Sequence, residues 1–426
     1  MKKPTAEELA VLRERAERTF SRFPVLPRRE DGRMSPESRL RFELTMETIL
    51  EKNRALGACV VLRRPSGAHE TFCFGTARLL GRVPVTEETC FRVASVSKLV
   101  MTFGALALVE RGALGLDDDL SACLGYPVRN PRFPDAPVTL RMLLTHTASI
   151  RDERNYGSRG KGVSARDNHI IKGMKALHLL AALAWAGGMQ KGCTLRELLE
   201  NADNWLPAKP GEAFHYTNLG AGVAGAAMER AANRPFDDIM QELVFAPLAI
   251  RASYVPGRIA PRSDLANGYS MRFPVPIRKY NAQALSRRKP DPFDPERDYL
   301  CAAGRLITDS AGMAALLGLL ASHGEMGVLS RASLDLMRAP QDGLGGVGAV
   351  GRGLNVAYLP GVFPGFSLVG HQGVAYGMCA ELFADPATGA GVGIMTNGVS
   401  LERSTPPLMR VGFDLLSLGF AALRNA

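Results

Sequence analysis

The chain has 426 residues and a formal net charge of +10 at pH 7. Hydrophobic residues make up 46% and charged residues 22%, a balance that is typical of globular proteins and excludes a disordered chain. The stretch that comes nearest to a membrane span, residues 177–189, is interrupted by His178 and falls short of the ~18 residues that a spanning helix needs. Residues 1–20 lack the apolar core of a secretory signal, so the sequence as given is expected to be cytoplasmic.

The excess of 52 Lys and Arg over 42 Asp and Glu raises the question of nucleic-acid binding. The basic residues are mixed with acidic ones and have few aromatic neighbours. Nucleic-acid sites instead combine a basic stripe with stacking aromatics, so no nucleic-acid partner is expected. The stretch at residues 151–175 has seven basic and three acidic residues, which is consistent with an attraction for anionic substrates.

The cysteines and histidines do not form a recognisable metal or disulfide pattern. The seven cysteines are scattered without a C-x-x-C pair, and most are predicted to be buried thiols. The seven histidines form no H-x-x-x-H or carboxylate-linked pair, so no metal is predicted. A G-x-G-x-x-G match at residues 343–348 follows no clear strand and opens no helix, and a dinucleotide cofactor is therefore not predicted either.

The N-terminal half of the chain begins with strand patterns and continues with helical ones. Residues 1–40 form an N-terminal extension interrupted by prolines, and residues 38–56 are predicted to be a helix. A β-hairpin is predicted from two short runs rich in Val, Phe and Cys, 58–62 and 70–77. Helical spacing then dominates at residues 95–112, 195–201, 220–232 and 310–322. The proline-rich stretch 269–297 is predicted to be a long loop.

Strand patterns return in the C-terminal part, at residues 354–358, 366–370, 378–384 and 391–396, before a closing helix over 408–423. The predicted fold class is therefore α/β of the α+β type, with an antiparallel sheet built from both termini, flanked by helices, and a mainly helical domain inserted. We expect residues 1–92 and 327–426 to form the sheet domain and residues 93–326 the helical domain, with the functional site at their interface.

The sharpest chemical feature is the sequence Ser-Val-Ser-Lys at residues 95–98, at the start of a predicted helix. Positions i and i+3 share a helix face, so Lys98 would place its amine beside the Ser95 hydroxyl. Such an amine can accept the hydroxyl proton and activate the serine, and N–H groups at the helix N-terminus can stabilise an oxyanion. A serine N-cap followed by an ordinary lysine gives the same pattern. Ser97 is the rival nucleophile, but it points elsewhere on a helix.

Two later segments carry further polar groups. Tyr216 could act as a general base if its phenol lies close to a lysine, and the side chain of Asn218 can bind both that lysine and a substrate carbonyl. Gly373 allows close backbone approach at the end of a predicted strand, so that a main-chain N–H can serve as an oxyanion donor. Each residue taken alone also has a structural interpretation: Tyr216 as a tyrosine of the core, Asn218 as a helix N-cap and His371 as a structural histidine.

In this order, the S-x-x-K motif at 95–98, Y-x-N at 216–218 and H-x-G at 371–373 resemble those of the penicillin-recognising serine hydrolases. These are the class C β-lactamases, serine DD-peptidases, D-aminopeptidases and related carboxylesterases. Other stretches also resemble that family, namely residues 91–120, 143–147, 302–308 and 371–386. The resemblance implies a β-lactamase/DD-peptidase-like fold and an acyl-enzyme mechanism without a cofactor.

Carried over to this sequence, the resemblance makes Ser95 the nucleophile, Lys98 and Tyr216 the proton-transfer pair, and Asn218 an anchor for substrate and lysine. It places the oxyanion hole at the backbone N–H groups of Ser95 and Val374, with His371 and Gly373 in the adjoining motif.

His371 departs from the family pattern because it stands where the β-lactamases proper have lysine. With an unperturbed pKa of ~6.5, it is expected to be only partly charged at neutral pH and to bind a substrate carboxylate less firmly. This favours peptidase, amidase or esterase activity over antibiotic hydrolysis. A second departure is the sequence Ala-Ser-Ile at residues 148–150, where the family usually has Ser-Gly-Ile, so we expect a reshaped turn.

The resemblance therefore implies a serine hydrolase acting on an amide or ester: a D-amino-acid peptide, a β-lactam or a carboxylic ester. The alternatives are an esterase or acyltransferase with the same site, and a catalytically silent binding or sensor protein with this fold. The expected partner is a small-molecule or peptide substrate. The sequence carries no signal for an oligomeric state.

Overall fold

The computed structural model describes residues 6–152, 193–272, 275–287, 292–341, 352–399, 403–405 and 408–424. The apolar run 177–189, most of the basic stretch 151–175 and the glycine-rich match at 343–348 lie outside these ranges. Within them, no helix is both long and apolar enough to cross a membrane.

The helices in the described ranges are α1 (Ala6–Arg22), α2 (Pro36–Lys52), α3 (Val96–Glu110), α4 (Leu120–Leu124), α5 (Leu140–Leu144), α6 (Leu195–Glu200), α7 (Asn218–Ala232), α8 (Phe236–Met240), α9 (Ala282–Ser286), α10 (Cys301–Gly304), α11 (Ser310–Ala321), α12 (Arg331–Arg338) and α13 (Arg410–Leu423). Single turns of other helix types occur at Ala202–Asn204, Gln241–Phe245, Pro256–Arg258 and Arg262–Asp264. The helices predicted at 38–56, 95–112, 195–201, 220–232, 310–322 and 408–423 are confirmed, with ends that shift by a few residues.

The strands are β1 (Gly57–Arg63), β2 (His69–Arg78), β3 (Val83–Pro84), β4 (Phe91–Arg92), β5 (Ala252–Ser253), β6 (Gly268–Arg272), β7 (Val275–Tyr280), β8 (Ile307–Thr308), β9 (Ala357–Pro360), β10 (Ser367–Ala375), β11 (Met378–Ala384), β12 (Gly391–Asn397), β13 (Arg403–Thr405) and β14 (Leu408–Met409). Seven of them form one sheet in the order β3-β2-β1-β12-β11-β10-β9. All of its pairings are antiparallel.

The sheet joins the two ends of the chain where β1 pairs with β12, with Gly57 opposite Asn397 and Arg63 opposite Gly391. Alternate residues of β1 face different cores. Val60 belongs to the core that includes residues of α1, α2 and α13, whereas Val61 belongs to the core that includes residues of α3, α7 and α11. Burial on both faces explains why this strand reads as a continuous apolar run. The predicted mixed α/β fold with an antiparallel sheet is confirmed, while the domain boundaries stay a prediction.

The prediction of a long loop over residues 269–297 is wrong in part. The structure places the hairpin of β6 and β7 there, followed by the short helix α9. Pro276 lies within β7, opposite Met271. A proline cannot donate a ladder hydrogen bond, but a two-stranded sheet consists of edges alone and tolerates it. The prolines therefore marked an edge strand rather than the absence of strands.

The H-x-G motif lies inside β10 and not at the end of a strand, because β10 continues to Ala375. Strand β9 pairs only with the first part of β10, from Ser367 to Gly370. The second part of β10 consequently has one edge that β9 does not cover. The loop that leads into α3 packs against this part of the strand at Gly373.

Candidate active site

Lys98 is held in place by three hydrogen bonds at the start of α3. Its Nζ donates to Ser95 Oγ at 3.2 Å, to Asn218 Oδ1 at 2.8 Å and to the Ala303 carbonyl at 2.6 Å. The side chain is fully buried, and an ammonium group has three N–H donors to satisfy. An amine that loses one proton keeps two donors for Asn218 and Ala303, which leaves its lone pair for the Ser95 hydroxyl.

Ser97, the rival nucleophile, has a structural role. It is fully buried, and its Oγ donates to the Ala94 carbonyl at 2.5 Å and accepts from the Leu306 N–H at 3.0 Å. Ser95, in contrast, makes no side-chain capping bond to α3 although it occupies the N-cap position. Of the two hydroxyls, only the one on Ser95 contacts Lys98.

The orientation of the Asn218 amide is set by Asp152. The Asp152 carboxylate accepts from Asn218 Nδ2 at 3.1 Å, from Thr217 Oγ1 at 2.6 Å and from the Leu219 N–H at 2.9 Å. Because Nδ2 faces Asp152, Oδ1 is the atom that faces Lys98. Asp152 belongs to none of the predicted motifs, since no local spacing connects it with a residue 66 positions later. Thr217, not Asn218, is the N-cap of α7.

We expect Asp152→Ala to lower kcat by about 10²-fold, a loss typical of a misplaced catalytic group. The amide of Asn218 would be free to rotate, and Lys98 would lose a fixed acceptor. Steady-state kinetics on an ester substrate measure the loss, and KM should change much less than kcat. Asp119→Ala is a matched control, because Asp119 caps the remote helix α4 in a similar way. An equal loss of kcat in both variants would contradict the assigned positioning role.

The ring of Tyr216 lies beside Lys98, whose Nζ is 4.9 Å from the ring centroid. His146 and His371 flank the same ring, with centroid separations of 4.5 Å and 6.1 Å. The Tyr216 hydroxyl is buried and has no hydrogen-bond partner among the described residues. Buried polar groups are normally satisfied, so this hydroxyl is placed to bond a group that enters the site.

Gly373 brings β10 into contact with the Ser95 loop. A Cβ at this position would lie 2.1 Å from the Val93 carbonyl oxygen and 2.9 Å from the Ser95 backbone nitrogen. Only glycine permits so close an approach. The strand edge therefore runs past the Ser95 N–H, and Val374, the next residue of β10, is half-buried. That the N–H groups of Ser95 and Val374 form an oxyanion hole stays a prediction.

The turn at residues 148–150 keeps a conformation that glycine adopts readily, since Ser149 has a φ of 61°. The Ser149 hydroxyl is used inside the protein. It accepts from Asn130 Nδ2 at 2.9 Å and donates to the Ala208 carbonyl at 2.5 Å. A glycine could adopt the same backbone angle, and a reshaped turn stays a prediction.

His371 is buried and neutral. Burial, reinforced by the positive charge of Lys98, lowers the pKa of His371 to about 3. Its Nδ1 lies 2.6 Å from the Gln372 carbonyl, so the neutral ring donates its proton there. The prediction that His371 is partly charged near neutral pH is wrong, because the sequence does not reveal that this histidine is enclosed beside a lysine.

Burial of His371 predicts a loss of stability in acid. The unfolded chain binds a proton on this histidine below pH ~6.5 and the native protein does not, so the free energy of unfolding decreases as the pH falls from ~6.5 towards 3. Between pH 7.5 and pH 5.5, the free energy of unfolding measured with urea should decrease by about 1.4 kcal/mol less in His371→Gln than in wild type. His69→Gln, on the exposed start of β2, controls for the substitution itself. Equal decreases in wild type and His371→Gln would show that His371 is protonated in the native state.

A small pocket adjoins the site, and Arg352 is its cation. Its lining includes His146, Asn355, His371 and Arg352. The Arg352 guanidinium carbon lies 4.2 Å from the ring centroid of Phe214, and burial lowers the pKa of Arg352 to about 10. Within the part of the chain that the structure describes, no carboxylate pairs with this guanidinium. Arg352 follows the glycine-rich stretch and belongs to no motif, so the sequence does not mark it as a site residue.

The site holds no metal centre in the described ranges, where no group of three or more His, Cys, Asp or Glu is close enough to bind an ion. Each of the three predicted motifs contributes residues to the site. Ser95 and Lys98 come from the first motif, Tyr216 and Asn218 from the second, and Gly373 from the third. The structure brings these motifs together from α3, the start of α7 and β10.

Several known proteins are similar to this chain in sequence or in fold. The chain is 29% identical over 399 residues to Esterase EstB from Burkholderia gladioli, covering 86% of this chain and 92% of the esterase. The octameric penicillin-binding protein homologue from Pyrococcus abyssi has a TM-score of 0.66 at 20% identity, covering 89% of this chain and 76% of that one. D-amino acid amidase from Ochrobactrum anthropi SV3 has a TM-score of 0.65 at 19% identity, covering 90% and 99%. The model of the family described as Beta-lactamase matches residues 42–412, and the chain therefore belongs to the Beta-lactamase family.

Proposed function

We propose that the protein hydrolyses carboxylic esters or amides through an acyl-enzyme on Ser95, with esters as the preferred class. The observation that carries this proposal is the contact of Lys98 with Ser95, fixed by Asn218 and the Ala303 carbonyl. The ester preference is supported by the similarity to EstB over 92% of that esterase. It is also supported by a neutral His371, because this residue brings no positive charge to the position where the β-lactamases proper have lysine.

In the proposed acylation step, Ser95 Oγ forms a bond to the substrate carbonyl carbon while its proton moves to the Lys98–Tyr216 pair. The carbonyl oxygen gains negative charge and accepts hydrogen bonds from the N–H groups of Ser95 and Val374. The bond to the leaving group then breaks, and Tyr216 returns the proton to the departing oxygen or nitrogen. Water attacks the acyl-serine by the same sequence of proton transfers and releases the acid.

A substrate panel tests the proposal. We expect kcat/KM to be highest for a p-nitrophenyl ester, lower for a D-alanyl peptide and lowest for a cephalosporin, with Ser95→Ala as the blank in each assay. A cephalosporin turned over faster than the ester would contradict the ester preference. If none of the three classes is turned over, the silent binding protein becomes the better description.

Arg352 is proposed to bind an anionic group of the substrate, because it is the cation of the adjoining pocket and pairs with no described carboxylate. Arg352→Gln should lower kcat/KM for a p-nitrophenyl hemiester of a dicarboxylic acid by roughly 10- to 100-fold, the range for a charged hydrogen bond. The neutral ester of equal length should change by less than about 3-fold on the same reasoning.

Arg111→Gln is the matched control for this prediction. It removes the same charge from an exposed arginine paired with Glu242 and should leave both esters unaffected. Equal losses on the charged and the neutral ester in Arg352→Gln would mean that Arg352 supports the fold of the site and does not recognise charge.

A further inference from the structure

Two cysteines lie directly opposite each other in the sheet. Strands β1 and β2 are antiparallel, and their register places Cys59 opposite Cys73. Two backbone hydrogen bonds flank this pairing: the Arg64 N–H donates to the Ala68 carbonyl, and the Thr76 N–H donates to the Leu56 carbonyl. They show that the even-numbered residues of β1 are the ones that hydrogen-bond to β2. Since such positions alternate along a strand, Cys59 and Cys73 form a non-hydrogen-bonded pair.

The geometry of that pairing suits a disulfide. Opposite residues at non-hydrogen-bonded positions have Cα atoms about 4.5 Å apart and side chains on the same face. Disulfides span Cα separations of roughly 4.4 to 6.8 Å. The two sulfurs can therefore be joined without moving either strand. No such pairing is visible in the spacing of the seven cysteines, because it depends on the register of the hairpin.

The two thiols differ in environment. Cys59 is fully buried and Cys73 is exposed. A hydrogen bond shared between them lowers the pKa of Cys73 and, together with burial, raises that of Cys59. The exposed sulfur is thus the one that ionises and meets an oxidant, because the thiolate is the reactive form. The buried sulfur lies within reach of whatever forms on Cys73.

We propose that Cys59 and Cys73 form a reversible disulfide when the protein meets a hydroperoxide. The Cys73 thiolate attacks a peroxide oxygen, the O–O bond breaks, and sulfenic acid and hydroxide result. The Cys59 sulfur then attacks the sulfenic sulfur, the S–O bond breaks, and the departing hydroxide takes the Cys59 proton as water. Overall, two thiols and one hydrogen peroxide give one disulfide and two waters.

The disulfide ties the first two strands of the sheet and restricts the unfolded chain between them. We expect the melting temperature to rise by roughly 3 °C on oxidation and to return after treatment with dithiothreitol. This inference is independent of the proposed hydrolase activity, because its readouts are mass and melting temperature.

The test treats the reduced full-length protein with one equivalent of hydrogen peroxide, blocks free thiols with N-ethylmaleimide and maps tryptic peptides without reduction. Cleavage after Arg54, Arg63 and Arg78 separates the two cysteines. We expect one linked pair joining peptide 55–63 to peptide 64–78 at a mass two hydrogens below the sum. In Cys59→Ser the Cys73 sulfenic acid should persist and be trapped by dimedone. Cys59→Ala serves if the serine variant does not fold.

Three outcomes would overturn the proposal. One is over-oxidised Cys73 beside a free Cys59 in the wild type, another is a Cys73–Cys73 link between chains, and the third is full alkylation of both thiols after peroxide. A linked peptide pair that disappears on reduction, with the melting temperature following it, supports the proposal.

Discussion

Ser95→Ala is expected to abolish hydrolysis and covalent labelling while leaving the melting temperature nearly unchanged. The Ser95 hydroxyl makes no capping bond to α3, and Lys98 keeps its bonds to Asn218 and the Ala303 carbonyl. Loss of the nucleophile in a serine hydrolase can lower turnover by several orders of magnitude. Ester turnover, fluorophosphonate labelling and thermal unfolding of the same preparation measure the three quantities.

Ser97→Ala is the matched control and should show the opposite pattern. Its buried hydroxyl bonds the Ala94 carbonyl and the Leu306 N–H, so its removal should cost about 1–3 kcal/mol of unfolding free energy. Labelling of Ser95 should persist. A loss of labelling in Ser97→Ala with an unchanged melting temperature would transfer the nucleophile to Ser97.

Tyr216→Phe is expected to lower kcat by about 10² or more, the usual scale of general acid–base catalysis. The substitution should cost little stability, because the hydroxyl has no hydrogen-bond partner among the described residues and the ring keeps its contacts with Lys98 and His146. Pre-steady-state kinetics on a p-nitrophenyl ester separate acylation from deacylation, and both steps should slow.

Tyr254→Phe provides the contrast. The buried Tyr254 hydroxyl donates to the Ser97 carbonyl at 2.8 Å, so its removal should lower stability by about 1 kcal/mol and leave kcat largely intact. An unimpaired Tyr216→Phe variant would assign proton transfer to another group of the site.

The sequence predicted the parts of the site that lie within short segments. Helix geometry alone places Ser95 and Lys98 side by side, because their positions are i and i+3. The first hairpin is predicted from two short runs of strand-forming residues separated by a turn sequence. Motif order also indicated that the three segments belong together. These features depend on local rules, and the structure agrees with them.

Other parts depend on which distant segments pack together, and the sequence could not supply them. Asp152 contacts Asn218 across 66 positions of the chain, at the N-terminus of α7, and Arg352 enters the pocket from a segment without a motif. The charge of His371 was predicted wrongly because its pKa is set by burial next to Lys98. Enclosure of this kind arises from tertiary packing and leaves no pattern in the chain.

The acyl-enzyme itself is the most direct test of the central claim. Rapid acid quenching of the protein with a p-nitrophenyl ester, followed by intact-mass measurement and peptide mapping, should show one acyl group per chain on Ser95. Tyr216→Phe should form that adduct more slowly, and Ser95→Ala should form none. An acyl group on another residue, or ester turnover in Ser95→Ala, would contradict the mechanism.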